Sequence, residues 1–226
     1  MRYQYLLVDN DNTLMDFDTA ERLALLDTLK ALSLPSTREV LDAYHRINHA
    51  LWEALERGEV TQAQLKLRRF EQLAGHFGWE GAKARALADT YPGHLGCHAE
   101  LLPGALELLR VLHGRMKIAL VSNGVSEIQR SRLSRCPFTP LLDAVVISGE
   151  IGVSKPDPRM VDAALANLGC TDRRQAVLLG DSLTADIAAA RSAGIDSIWF
   201  NPSGRPGGGA TYSVSTLGEA QALLLA

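Results

Sequence analysis

The chain has 226 residues, enough to bury a full core either as one large domain or as a core carrying a smaller insert. Its 26 acidic and 23 basic residues leave a formal net charge of -3, which excludes the basic footprint of a nucleic-acid binder. Cys97, Cys136 and Cys170 stand far apart with no Cys-x-x-Cys pair, so neither a disulfide framework nor a zinc site is indicated.

In chain order, the first apolar run, Tyr5–Val8, is far too short for a signal peptide or a membrane span, and a soluble cytoplasmic protein is expected. It reads as a strand that stops abruptly at Asp9. From residue 18 to residue 95 no strand run occurs, and the spacing predicts about four helices. Within this block Ser36-x-x-Glu39 and Thr61-x-x-Gln64 have capping-box spacing, and Gly58 offers a helix stop. Apolar runs then recur at Ile118–Val121, Val145–Ile147, Val177–Leu179 and Ile198–Phe200, each ending in polar residues. Continuous apolar character suits strands covered on both faces, as in a parallel sheet. Amphipathic stretches lie between them, at Gly104–His113, Ser126–Arg135, Arg159–Leu168 and Thr184–Ala193. Strand and helix alternation of this kind implies a doubly wound α/β layer. Residues 202–210, rich in Gly and Pro, are expected to form a mobile surface loop, and a closing helix is predicted from Ser215 or Thr216 onward.

This pattern predicts an α/β, Rossmann-like parallel-sheet core formed by residues 1–17 and 96–226, with residues 18–95 inserted as an α-helical bundle cap. In such sheets ligands bind outside the carboxyl ends of the strands, where the polar residues after each run emerge together. The insert starts straight after the first strand's polar end, so it is expected to hang over the site as a lid.

The polar segments carry recognisable chemistry. Asp9-Asn10-Asp11-Asn12-Thr13 places two carboxylates and a hydroxyl after the first strand, although Asp and Asn at such a place also serve as plain turn formers. Ser122-Asn123-Gly124 follows the second core strand and could hydrogen-bond phosphate oxygens, while also being a common turn sequence. Lys155, before Pro156, could offset the negative charge of phosphate and nucleophile. Gly180-Asp181-Ser182-x-x-x-Asp186 opens a helix, where its acids could cap the helix or hold a metal.

These segments in this order resemble the haloacid dehalogenase superfamily, whose signature is Asp-x-Asp-x-Thr, then Ser or Thr, then Lys, then Gly-Asp-x-x-x-x-Asp. The resemblance implies a magnesium-dependent phosphatase acting on phosphate monoesters through an aspartyl-phosphate. Asp9 would be the nucleophile and Asp11 the general acid and base. Asp9, the backbone carbonyl of Asp11, and Asp181 would hold Mg2+, with Asp186 supporting Asp181 or Lys155 from behind. Ser122, the backbone of Asn123, and Lys155 would grip the phosphoryl group, and Thr13 would brace the loop beside it. Asn12 departs from the glycine common at its place.

Asp-x-Asp-Asn-Thr-Leu followed by Asp16-Phe17-Asp18, and residues 147–153 before Ser154-Lys155-Pro156, are similar to the cytoplasmic 5'-nucleotidases that hydrolyse pyrimidine and damaged nucleoside monophosphates. His45, Asn48, His49 and Trp52 share one helix face. Asn48 and Trp52 could therefore touch a substrate base, the alternative being that Trp52 and Phe70 are cap core and the histidines are solvated. A phosphoglycolate or sugar-phosphate phosphatase would use the same core residues. A 2-haloacid dehalogenase would need neither Asp11 nor Asp181, because halide leaves without a proton. The expected partner is a small phosphate ester, with no nucleic-acid polymer and no membrane, and the chain is expected to be a monomer or a homodimer.

Overall fold

A computed structural model describes residues 1–226. Its strands are β1 (Tyr5–Val8), β2 (Lys117–Ser122), β3 (Ala144–Ile147), β4 (Ala176–Gly180), β5 (Asp196–Phe200) and β6 (Tyr212–Val214). They form one parallel sheet in the order β3-β2-β1-β4-β5-β6. The apolar runs become strands because both faces are covered: Leu6, Leu7, Val8, Ile118, Leu120, Val177 and Leu178 are all fully buried. On one face Leu7, Ala119, Val121 and Leu178 pack with Met160 and Ala164, and with Ala189 and Ala190. The first pair lies on a helix spanning Arg159–Leu168 and the second on one spanning Ala188–Ala193. With every strand parallel, all carboxyl ends lie along one edge, and β1 sits between β2 and β4.

Two details depart from expectation. The helix expected over 184–193 opens with a π-helical turn, Leu183–Ile187, before the α-helical Ala188–Ala193. A sixth strand, β6, follows the Gly/Pro-rich loop, too short at three residues to announce itself in the sequence. The closing helix, Leu217–Leu225, starts at the Thr216 cap, whose hydroxyl accepts from the Glu219 N–H.

The chain divides into two compact units, one of Met1–Phe17, Glu100–Ser126 and Cys136–Ala226, the other of Asp18–Ala99 and Glu127–Arg135. The second unit is built on four helices: α1 (Phe17–Ala31), α2 (Arg38–Glu56), α3 (Gln62–His76) and α4 (Gly81–Leu95). Helix α3 begins with the expected capping box, Thr61 and Gln64 each satisfying the other's backbone N–H. At α2 the cap is Thr37, one residue later than the Ser36-x-x-Glu39 pattern implied, and its hydroxyl accepts from the Val40 N–H. Tyr44, Phe70 and Tyr91 form an aromatic core with ring centroids 5.3–5.5 Å apart, and the Arg69 guanidinium lies over the last two rings.

Residues 96–99 and 127–135, expected within the sheet unit, cluster instead with the helices. The reason is polar. Arg132, fully buried, donates from Nε to the His98 carbonyl at 2.8 Å, and the Ser131 hydroxyl donates to the Gly96 carbonyl at 2.9 Å. No helix of the protein is long and apolar enough to cross a membrane.

Inside the helical unit, Glu21 on α1 is buried, and its carboxylate accepts from Asn48 Nδ2 at 2.6 Å and from His45 Nδ1 at 2.7 Å. Burial raises the Glu21 pKa above its ordinary 4.5, against the pull of His45 and Asn48. The hydrogen bond to Glu21 raises His45 above 6.5, aided by the charges of Asp18 and Asp42. Both shifts mean that the folded unit holds protons the unfolded chain gives up, so their stabilisation is complete at low pH and falls as pH rises. Thermal midpoints are therefore expected to fall from pH 6.5 upward, and the slope should flatten in His45→Gln. An equally steep slope in that variant would remove His45 as its source.

Candidate active site

The loop that leaves β1 is built to turn sharply while keeping its carboxylates in place. The carbonyl of Asn10 accepts from the N–H groups of Thr13, Leu14 and Met15, and the Asn12 N–H returns to the Met15 carbonyl at 2.7 Å. Asn12 has φ 59, in the left-handed region open chiefly to Gly and Asn. Asparagine thus meets the same backbone demand as glycine and adds a function, because its Oδ1 accepts from the Phe17 N–H at the start of α1. The change from glycine leaves the turn intact. Thr13 is fully buried, and its hydroxyl makes no hydrogen bond within the protein.

Lys155 gathers the strand ends. Its ammonium donates to Asp9 Oδ1 at 2.5 Å, to the Val121 carbonyl at 2.7 Å and to Asp186 Oδ1 at 2.7 Å, so all three donors are used. The side chain is only 2 % exposed. Burial alone would lower its pKa, but Asp186 and Asp9 hold it above the ordinary lysine value. Asn123 fixes the lysine's backbone: its Oδ1 accepts from the Lys155 N–H at 2.7 Å and its Nδ2 donates to the Lys155 carbonyl at 2.8 Å. The Asn123 side chain is thereby committed to the clamp, which leaves its backbone as the part that could meet phosphate. Ser122, 1 % exposed, closes β2 directly beside it.

Asp181 and Asp186 follow β4. Carboxylate oxygens of Asp9, Asp181 and Asp186 lie within 4.8 Å of one another. Burial, with the neighbouring acids, pushes the Asp9 carboxyl up to about 7 despite Lys155. Burial also raises Asp181 well above the carboxylate range, with Asp186 and Asp9 adding to it. A divalent cation relieves this crowding, and a donor set made only of hard oxygens fits a magnesium-sized ion. Asp186 is the poorest ligand of the three, because Oδ1 accepts from Lys155 and Oδ2 from the Ser182 N–H at 3.0 Å. That supports the bracing part expected of it. The Asp11 carboxylate stands outside this cluster.

Gly180 is required by packing. A Cβ there would come within 2.3 Å of the Asp186 carboxyl carbon. Sequence reasoning quoted Gly180 only as part of a motif and missed two more residues, Trp199 and Arg205. The Trp199 Nε1–H and an Arg205 Nη2–H both donate to the Asp181 main-chain carbonyl, each at 2.9 Å. The only advance signal was the placing of Trp199 on a strand whose carboxyl end points to this edge.

The helical unit treats its candidate residues differently. Asn48 is 1 % exposed, and both ends of its amide are engaged, with Glu21 and, at 3.3 Å, with Arg69. This corrects its expected place on an open, substrate-facing stripe: Glu21, from another helix, turns it inward. His49 pairs with Glu53 at 3.7 Å. Trp52 is partly buried, with its indole N–H unpartnered.

Against known proteins, the haloacid dehalogenase-like hydrolase family matches residues 3–194. The chain is 36% identical over 203 residues to the pyrimidine 5'-nucleotidase PynA of Streptococcus pneumoniae, covering 89% of this chain and 85% of that protein. To the pyrimidine 5'-nucleotidase YjjG of Escherichia coli it is 34% identical over 229 residues, covering 99% of each. The crystal structure of the HAD-hydrolase YfnB of Bacillus subtilis, bound to magnesium, superposes with a TM-score of 0.93 at 32% identity over 99% of both chains.

Gly180→Ala is expected to displace Asp186 and loosen Lys155, costing about 1–3 kcal/mol by overpacking. Urea denaturation reads that loss, and unchanged stability would show that Asp186 can move aside freely.

Proposed function

Because the chain belongs to the haloacid dehalogenase-like hydrolases, we propose that it is a magnesium-dependent phosphatase of nucleoside 5'-monophosphates, pyrimidine nucleotides foremost. The observation that carries the chemistry is the clamp of Lys155 on Asp9 beside Asp181. The pyrimidine preference rests on what the two nucleotidase relatives are named for. A cytoplasmic setting and a monomeric or homodimeric state belong to the same proposal.

Lys155 holds one Asp9 oxygen, leaving the other to attack phosphorus. As the Asp9–phosphorus bond forms, the bond to the ester oxygen breaks and Asp11 gives its proton to the departing alkoxide. Asp11, now a carboxylate, takes a proton from water. The resulting hydroxide attacks phosphorus, inorganic phosphate leaves, and Asp9 is regenerated. Lys155, Ser122 and backbone N–H groups near Asn123 bear the negative charge on the phosphoryl oxygens. Asp9, Asp181 and the Asp11 carbonyl would hold magnesium, which would supply charge neutralisation and orientation of the phosphoryl group.

Hydrolysis of a generic aryl phosphate is expected to stop on chelation and to return with Mg2+. Asp9→Asn should abolish turnover, and Asp11→Asn should slow it about a hundredfold to ten-thousandfold. Full activity in Asp9→Asn would end the covalent mechanism. For the substrate, kcat/KM across nucleoside monophosphates, phosphoglycolate and sugar phosphates should peak at the pyrimidine nucleotides. A peak at a sugar phosphate would overturn that part alone.

A further inference from the structure

The segment between β5 and β6 is irregular, as its Gly and Pro content implies, yet it is tied down at Arg205. Asn201, whose own N–H donates to the Val214 carbonyl at 2.8 Å, accepts from the Arg205 N–H at 2.9 Å. Its Nδ2 donates back to the Arg205 carbonyl at 3.0 Å. The loop is thus closed on Arg205 by a reciprocal pair. Farther along, Gly207 lies so close that a Cβ there would meet Leu183 Cδ1 at 2.5 Å and the Trp199 ring at 3.2 Å. The loop lies at the surface, as expected, and its base packs against β5 and the turn after β4.

What the loop delivers is one guanidinium. Arg205 lies with its guanidinium carbon 5.8 Å from the centre of the Trp199 ring, and both side chains donate to the Asp181 carbonyl at 2.9 Å. A carbonyl oxygen has two lone pairs, so this one is saturated. The same Nη2 stands 3.9 Å from Asp181 Oδ2, beyond hydrogen-bond reach. The arginine therefore holds the residue by its backbone and leaves its carboxylate unclaimed.

We infer that Arg205 is a positioning residue for the cation site, fixing the Asp181 peptide so that its carboxylate is preset for a divalent ion. Its charge opposes a cation nearby, but the side chain is 52% exposed and that repulsion is screened by water and salt. The short hydrogen bond is not screened in this way. Orientation outweighs repulsion, and removing Arg205 weakens cation binding.

The inference rests on the proposed magnesium site, and the test separates the two. Tb3+ is the probe, because Trp199, in contact with Asp181, can sensitise its luminescence, and Mg2+ is titrated against it. Asp181→Asn supplies the background. In Arg205→Ala the Tb3+ dissociation constant and the half-saturating Mg2+ are each expected to rise about tenfold, equivalent to about 1.4 kcal/mol. In Arg205→Ala any loss of kcat for an aryl phosphate should shrink as Mg2+ is raised, because the defect lies in cation affinity. Arg205→Lys should recover part of the affinity, and Asn201→Ala, which frees the loop but keeps the guanidinium, should weaken binding in the same direction. Equal or tighter cation binding in Arg205→Ala, or a change confined to KM, would overturn the positioning role. Absence of Asp181-dependent binding in the parent protein would instead defeat the metal site itself.

Discussion

One ammonium organises the carboxyl edge of the sheet. Lys155 reaches the end of β1 through Asp9, the end of β2 through the Val121 carbonyl, and the turn after β4 through Asp186. Neighbouring strands are paired by backbone hydrogen bonds, such as Asp9 N–H to the Leu179 carbonyl, and the lysine joins all three ends through one group. A buried ion of this kind is stabilising only while its partners stay put, since removing one member leaves an uncompensated charge in a low-dielectric interior. The surrounding residues can be read as provisions for that condition. Asn123 pins the lysine's backbone on both sides, and Gly180 leaves the space that Asp186 fills.

The charges do not balance within this cluster, and the imbalance is what makes it chemically useful. Three carboxylates crowd one ammonium, and burial lifts Asp9 to about 7 and raises Asp181 as well. Such a site favours whatever positive charge enters it. Asp186, with both oxygens already accepting, is spent on structure, whereas Asp9 keeps one oxygen and Asp181 its whole carboxylate. The three acids of one cluster thus differ in what they can still bind, according to how many donors each already faces.

Much of this edge was legible beforehand, because continuous apolar runs mark doubly covered strands and the polar residues that end them must share one rim. The Asn12 turn was legible in part: asparagine was seen as a departure from glycine, but its left-handed backbone and its bond to the Phe17 N–H were not. In the helical unit, spacing showed that His45, Asn48 and Trp52 share a stripe without showing what it meets. Glu21, on a different helix, decides that for Asn48 and His45. Composition likewise announced an irregular segment after β5, but irregularity is a statement about backbone pattern, and only the Asn201 and Arg205 contacts show that it is anchored. The assignment of residues 127–135 to the helical unit depends on where Arg132 finds its acceptors, which no local pattern encodes.

The placing of β1 in the middle of the sheet bears on how the protein comes into being. Leu6 pairs with Ile118 on one side and with Val177 on the other. Closing loops of that span is slow compared with forming helices or nearby turns. As the chain leaves the ribosome, the helical unit and the later strand-helix segments can gain structure before the first strand has both neighbours. The Asp9 carboxylate, which directly follows β1, is therefore enclosed only once the distant segments that supply β2 and β4 have been made and have docked on either side.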